Sequence, residues 1–176
     1  MMELAKTNIL DYVRGLSAEE AFMLEAKMVG YKKLPVDIET FVKDDYYLGK
    51  TFNGQIYEYW MEVLKDIFPD PIHVRYPYVI LTGPIGGGKS TVTKIMALYL
   101  LHRLDCLDNF NYFGVAITKT LDWIFFHTSA SKAQTDLIDS CWNIYGNSPY
   151  FQDEFTWDSG LYQFVADSTR TNNSIG

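Results

Sequence analysis

The sequence lacks the features that mark several protein classes. It has only two cysteines, Cys106 and Cys141, without metal-ligand spacing, so simple core packing in a reducing compartment explains them best. No apolar run approaches the roughly 20 residues that span a bilayer, and Glu3 and Lys6 interrupt the N-terminus too early for a signal peptide. The net charge of −7 argues against broad, sequence-independent DNA binding but leaves local DNA contacts open. We therefore expect a cytosolic protein with no membrane partner.

What is present is a globular composition. The chain has 176 residues, of which 48% are hydrophobic and 16% aromatic, enough to bury the core of one domain with an appendage. Residues 1–50 predict a helical N-terminal extension, in which Ser17 and Glu20 form a capping box and Gly30 ends the helix. Asp37 is expected to cap a short turn that points Ile38, Phe41 and Val42 inward. Residues 51–176 are then the predicted core domain.

A glycine-rich motif organises that domain. The apolar run Tyr78–Leu81 is followed by Gly83–Ser90, which fits G-x-x-x-x-G-K-[ST], and an apolar segment with helical periodicity follows directly. Strand, phosphate loop and helix in this order are typical of nucleotide-binding proteins. The alternative is a glycine-rich turn that joins a strand to a helix without binding anything.

Each residue type in the motif suits a phosphate. Glycines let successive backbone N–H groups turn toward one anion, and the helix that opens near Lys89 directs its positive dipole end to the same point. Lys89 would contact the β- and γ-phosphates of ATP, and the Ser90 hydroxyl would ligate Mg²⁺. The expected nucleotide contacts are Gly83, Pro84, Ile85, Gly86, Gly87, Gly88, Lys89, Ser90 and Thr91.

An amphipathic helix is predicted just before the motif, over Ile56–Phe68, and Pro69 ends it. Its apolar face is predicted to comprise Ile56, Tyr59, Trp60, Val63, Leu64 and Ile67. Since aromatic faces stack readily on bases, Tyr59 and Trp60 are candidate contacts for the nucleotide base. Ordinary core packing is the alternative for both.

A second core strand is predicted over Trp123–Thr128. Its hydrophobicity is continuous rather than alternating, as in a parallel sheet covered on both faces. His127 lies at the C-terminal end of this strand, where α/β sites form, although a structural role is the simpler interpretation. The predicted fold class is therefore α/β, with a mainly parallel sheet flanked by helices.

The acidic strand that phosphate-loop ATPases use for Mg²⁺ and water has no good match in this chain. Phe164–Asp167 is the nearest candidate, and it is short. Either Asp167 is an unusual metal ligand, or the chain is truncated before the acidic strand, which we favour.

With these residues laid out, the chain resembles the N-terminal ATPase region of tailed-phage terminase large subunits. The segments that carry the resemblance are PVDIETFVKDDYYLGK, IYEYWMEVLKDIFPDP, LTGPIGGGKST, LHRLDCLDNFNYFGV and SPYF. The resemblance implies a phosphate-loop fold of the additional-strand type and ATP hydrolysis coupled to translocation of double-stranded DNA into a procapsid. It also implies a homo-oligomeric ring on the portal protein, a small terminase subunit as partner, and action in the host cytoplasm at the procapsid portal.

Individual residues follow from the same resemblance. Arg170 resembles an arginine that acts on the nucleotide of a neighbouring subunit, and a solvated arginine paired with Asp167 is the alternative. Two departures stand out: Pro84, Ile85, Gly86 and Gly87 occupy positions where some members carry an arginine, and Trp60 follows Tyr59 where many carry an adenine-reading glutamine. A nuclease domain is expected further along the full protein.

Two other functions fit the same residues. One is an ATP-binding assembly or regulatory module that never hydrolyses, which agrees with the missing acidic strand. The other is a small phosphotransferase, although the sequence has no arginine-rich lid segment and that function leaves the helical extension unexplained.

Overall fold

The described part of the chain is mainly helical. The computed structural model describes residues 14–52, 55–108, 114, 135, 138–158 and 163–166. The chain divides into two compact units, one of residues 1–34 with 106–117 and one of residues 35–105 with 118–176. Residues 50 and 51, on either side of the predicted domain boundary, both belong to the second unit. The truncation of the chain before the acidic strand stays a prediction.

In the first unit, helix α1 (Ala18–Val29) has the predicted capping box. The Ser17 hydroxyl accepts a hydrogen bond from the Glu20 N–H, and the Glu20 carboxylate accepts one from the Ser17 N–H at 2.8 Å. At the other end, Gly30 takes the left-handed conformation with φ of 99°, which glycine adopts at little cost. Both helix-end predictions are confirmed.

The second unit contains the candidate site. Its helices are α2 (Ile38–Lys43), α3 (Gly49–Phe52), α4 (Glu58–Ile67), α5 (Lys89–Asp105), α6 (Ser140–Gly146) and α7 (Pro149–Glu154). Asp37 caps α2 by accepting from the Thr40 N–H at 3.0 Å, and Ile38, Phe41 and Val42 are buried, as predicted.

Helix α5 runs through the core of this unit. Its Tyr99 side chain is fully buried and lies against Phe41 and Phe68, with ring centroids 5.2 and 4.9 Å apart. Aromatic pairs at these separations add to the stabilisation from apolar burial.

The predicted burial of both cysteines is confirmed. Among the helices that the structure describes, none is long and apolar enough to cross a bilayer.

The predicted α/β phosphate-loop fold is wrong. The strands within the described residues, β1 (Phe155–Asp158) and β2 (Gln163–Ala166), form an antiparallel pair with Phe155 opposite Ala166. No parallel sheet occurs in the described part of the chain. Residues 78–81, the predicted first core strand, lie outside any strand, and the Tyr78 and Ile80 side chains are 88% and 87% exposed.

The physical reason is that strand formation depends on a partner. Tyr, Val, Ile and Leu favour strands because they pack well on a pleated, half-buried surface, and without that surface the preference is weak. Across the described residues, no neighbouring strand pairs with residues 78–81. The second predicted strand, residues 123–128, lies outside the described residues, and so does His127.

Candidate functional site

The glycine-rich loop lies between residues 78–82, which are exposed except for the partly buried Leu81, and the start of α5. Gly86 and Gly88 have φ of 83° and 82°, a region that residues with a Cβ rarely adopt. Between them, the Gly87 N–H donates to the Pro84 carbonyl at 3.3 Å and closes a turn. The glycines therefore let the chain fold back on itself just before the helix.

Lys89 is the charged residue of this loop. Its Nζ donates hydrogen bonds to the Gly83 carbonyl at 2.8 Å and to the Pro84 carbonyl at 2.5 Å. No carboxylate within the described part of the chain forms an ion pair with Lys89. The ammonium is thus held beside the loop by neutral carbonyls rather than by a carboxylate.

The first turn of α5 adds further groups at the same place. The Val92 N–H donates to the Gly88 carbonyl at 3.1 Å, so the helical hydrogen-bond ladder starts within the motif. Ser90 is exposed on this turn and Thr91 is half-buried. Because α5 has 17 residues, its aligned peptide dipoles place partial positive charge at this end.

Trp60 of α4 contacts the loop directly. Its indole Nε1 donates to the Gly87 carbonyl at 2.7 Å. A Cβ added at Gly88 would lie 3.0 Å from the same nitrogen. The side chain is 9% exposed, so Trp60 packs in the core and also contacts the loop.

Tyr59 precedes Trp60 in the same helix but faces solvent. Its side chain is 65% exposed, so its predicted place on the apolar face is wrong. Its ring centroid is 5.2 Å from that of Trp60, whose indole contacts the loop. The predicted base contacts by Tyr59 and Trp60 stay predictions.

A magnesium ion would find few protein ligands here. Within the described residues, no group of three His, Cys, Asp or Glu side chains could hold a metal. The exposed Ser90 hydroxyl nevertheless fits an ion that is carried by nucleotide phosphates, because Mg²⁺ commonly keeps waters and phosphate oxygens as its other ligands. Asp167 and Arg170, the other candidate site residues, lie outside the described residues.

The buried thiol of Cys141 does not add a nucleophile to this unit. Burial raises the pKa of Cys141 to about 11, and the positive charge of Lys94 opposes that shift only in part. A thiol with such a pKa stays protonated near neutral pH, and the thiolate is the reactive form.

Sequence reasoning missed the contact between Trp60 and Gly87. The helical periodicity of residues 56–68 predicts that Trp60 points inward, which is confirmed. Its partner lies 27 residues further along the chain, and no local pattern indicates such a pairing.

We compared the chain with protein-family models, curated protein sequences and solved structures, and found no match in any of the three.

Proposed function

We propose that this chain binds the phosphates of ATP at residues 83–91. The observation that carries the proposal is the position of Lys89, whose ammonium lies on the glycine loop with only backbone carbonyls as partners. The start of a long helix directly follows. Concave loops of backbone N–H groups, helix N-termini and lysine ammonium groups all favour phosphate. The proposal depends on this local geometry and needs no parallel sheet.

On binding, phosphate oxygens would replace the carbonyl oxygens as the partners of Lys89. A carbonyl oxygen carries only a partial negative charge, whereas a phosphate oxygen carries much of a full charge, so the hydrogen bond from Lys89 is stronger to phosphate. Lys89 can therefore leave the Gly83 and Pro84 carbonyls when a triphosphate arrives. When bound, Mg²⁺ would neutralise phosphate charge, and Ser90 is the residue placed to hold it.

We further propose that the chain is the ATP-binding part of a viral DNA-packaging motor, on the strength of its resemblance to terminase large subunits. On this proposal, ATP hydrolysis drives double-stranded DNA through a portal, in a ring of subunits that also engages a small terminase subunit. Arg170 would act on the γ-phosphate bound by a neighbouring subunit. The location is then the host cytoplasm, at the procapsid portal.

Hydrolysis itself needs a group that positions the attacking water. None of the carboxylates that the structure describes forms a hydrogen bond or ion pair with the loop. A module that binds ATP without hydrolysing it is therefore the second candidate. Phosphate release by the isolated chain tests the second candidate: we expect near-background turnover with or without DNA, which fits both functions, whereas robust turnover would rule out the non-hydrolysing module.

The test of ATP binding is Lys89→Ala, with titration of a fluorescent ATP analogue in the presence of Mg²⁺. We expect binding to be lost, because the variant removes the cation that contacts the phosphates, while the melting temperature stays close to that of the wild type.

Lys94→Ala is the matched control. It removes one positive charge from the same helix, at a side chain that instead donates to the Ser140 hydroxyl at 2.5 Å, and it should bind the analogue normally. Unchanged affinity in Lys89→Ala would overturn the assignment of the loop.

A further inference from the structure

The hydrogen bond between Trp60 and the loop joins a rigid group to a flexible one. Trp60 belongs to the buried core cluster together with Met61, Leu64 and Ile67 of the same helix, so its indole has little freedom to move. Gly87 and Gly88, in contrast, carry no Cβ, and the peptide between them can rotate more freely than any other kind of peptide in a protein.

The orientation of this peptide decides what an anion meets. A peptide group is planar, and no cis peptide bond occurs in the described part of the chain, so the Gly87 carbonyl and the Gly88 N–H point in opposite directions. Because the carbonyl is directed at the Trp60 Nε1, the Gly88 N–H is directed away from it. Rotation of the peptide would exchange the two groups, so an anion bound on the side of the loop away from Trp60 would meet the carbonyl oxygen instead of the N–H.

We propose that Trp60 is a positioning residue that keeps the peptide between Gly87 and Gly88 in the orientation that binds phosphate. The role rests on the proposed ATP binding, and it makes α4 part of the phosphate site without any contact between Trp60 and the nucleotide. It differs from a base contact, which would use the face of the ring.

The close approach at Gly88 supports the same role. A Cβ at this position would lie 3.0 Å from the indole nitrogen and 3.4 Å from its Cδ1. The indole thus fills the space beside the peptide. It excludes water from that space, and such water could otherwise hydrogen-bond to the Gly87 carbonyl and allow the peptide to rotate. Such shielding strengthens the hydrogen bond that remains.

The experiment compares two ligands, fluorescent ATP and inorganic tripolyphosphate, in binding to the wild type, Trp60→Phe and Trp142→Phe. Tripolyphosphate has no base, so it reports on the phosphate site alone. We expect Trp60→Phe to lower the affinity for both ligands by the same factor of about ten, because the variant loses about one hydrogen bond. Trp142→Phe removes a partly buried indole from another helix of the same unit and should change neither affinity.

The outcomes separate the two proposals. If Trp60→Phe binds both ligands as the wild type does, the positioning role is wrong and ATP binding stands. If it weakens ATP but not tripolyphosphate, Trp60 contacts the base and the positioning role is again wrong. If the wild type binds neither ligand, ATP binding fails and the positioning role fails with it.

All affinities are measured well below the melting temperature of each variant. Should Trp60→Phe fold poorly, replacement of Trp60 by β-(3-benzothienyl)alanine decides by the same criteria, since it substitutes sulfur for the indole N–H at nearly unchanged size.

Discussion

The two ends of helix α5 contrast sharply. At the N-terminal end, Ser90 is exposed and Lys89 meets only loop carbonyls. At the C-terminal end, His102, Arg103 and Asp105 are buried, and His102 is only 2% exposed. The polar side chains of this helix are therefore accessible to solvent at its N-terminal end and buried at its C-terminal end.

At the buried end each of these three side chains makes at least one hydrogen bond to the protein. The Val36 N–H donates to His102 Nε2 at 3.1 Å, and the Tyr150 hydroxyl donates to the Asp105 carboxylate at 2.8 Å. Arg103 donates to the His73 carbonyl at 3.2 Å. Hydrogen bonds of this kind between buried groups favour one packing arrangement.

This difference shows which polar groups can exchange their protein partners for a ligand. Groups at the buried end are committed to the fold, since removing a partner would leave a buried donor or acceptor unsatisfied. Lys89 at the exposed end can exchange its partners without disturbing the core. A change at the buried end should therefore alter stability, and a change at the loop should alter binding.

The largest expected effect is on stability, at the buried end. Phe41→Ala removes a fully buried ring that stacks on His102 with centroids 5.1 Å apart, and we expect a loss of about 3–5 kcal/mol in the free energy of unfolding. Affinity for tripolyphosphate should be unchanged in the folded population. Urea denaturation measures the loss.

Tyr78→Ala is the control for this variant, because it removes an aromatic ring that is almost fully exposed, and it should change stability by less than about 0.5 kcal/mol. Equal losses in the two variants would contradict the contrast between core and surface.

A moderate effect is expected at the loop. Gly86→Ala places a Cβ on a residue with φ of 83° and no atom within 4 Å, so the cost is backbone strain alone, about 1–2 kcal/mol. Relief of that strain would change the loop conformation, so tripolyphosphate binding should weaken as well.

Gly146→Ala also adds a methyl group in open space, but without a positive φ. It should leave binding intact and cost no stability. Normal phosphate affinity in Gly86→Ala would indicate that the loop conformation is irrelevant to binding.

The smallest effect concerns acid stability at α2, the helix that carries Phe41. Burial alone would raise the pKa of Asp37, but hydrogen bonds from the Thr40 N–H and hydroxyl outweigh it and lower the pKa below its usual 3.8. Since the folded pKa is the lower one, the stabilisation is present above about pH 4 and is lost as pH falls through the folded value.

Asp37→Asn keeps a good helix cap, so we expect stability within about 0.5 kcal/mol of wild type at pH 7 and a shallower loss below pH 4. Urea midpoints at pH 7 and pH 3 measure both. Asp45→Asn, at a nearby exposed carboxylate, should retain the wild-type slope, and an unchanged slope in Asp37→Asn would contradict the assignment.

Local features were predictable because their partners are close in sequence. The capping box of Ser17 and Glu20 and the cap formed by Asp37 join residues three apart. Sequence reasoning likewise anticipated a helix directly after the glycine motif, since Lys89 and Ser90 open it. Such contacts need no information from the rest of the chain.

Tertiary structure decided the rest. Tyr78–Leu81 has the composition of a core strand, yet it lies outside any strand, because pairing requires a partner that the segment itself cannot supply. Tyr59 and Trp60 are neighbours in one helix, but only Trp60 is buried. The sequence by itself determined where α1, α2 and α5 begin and that a glycine loop precedes α5. Only the packing of α4 beside that loop, 27 residues distant, decided that Trp60 holds the Gly87 carbonyl, because a contact between distant residues depends on how the whole chain folds.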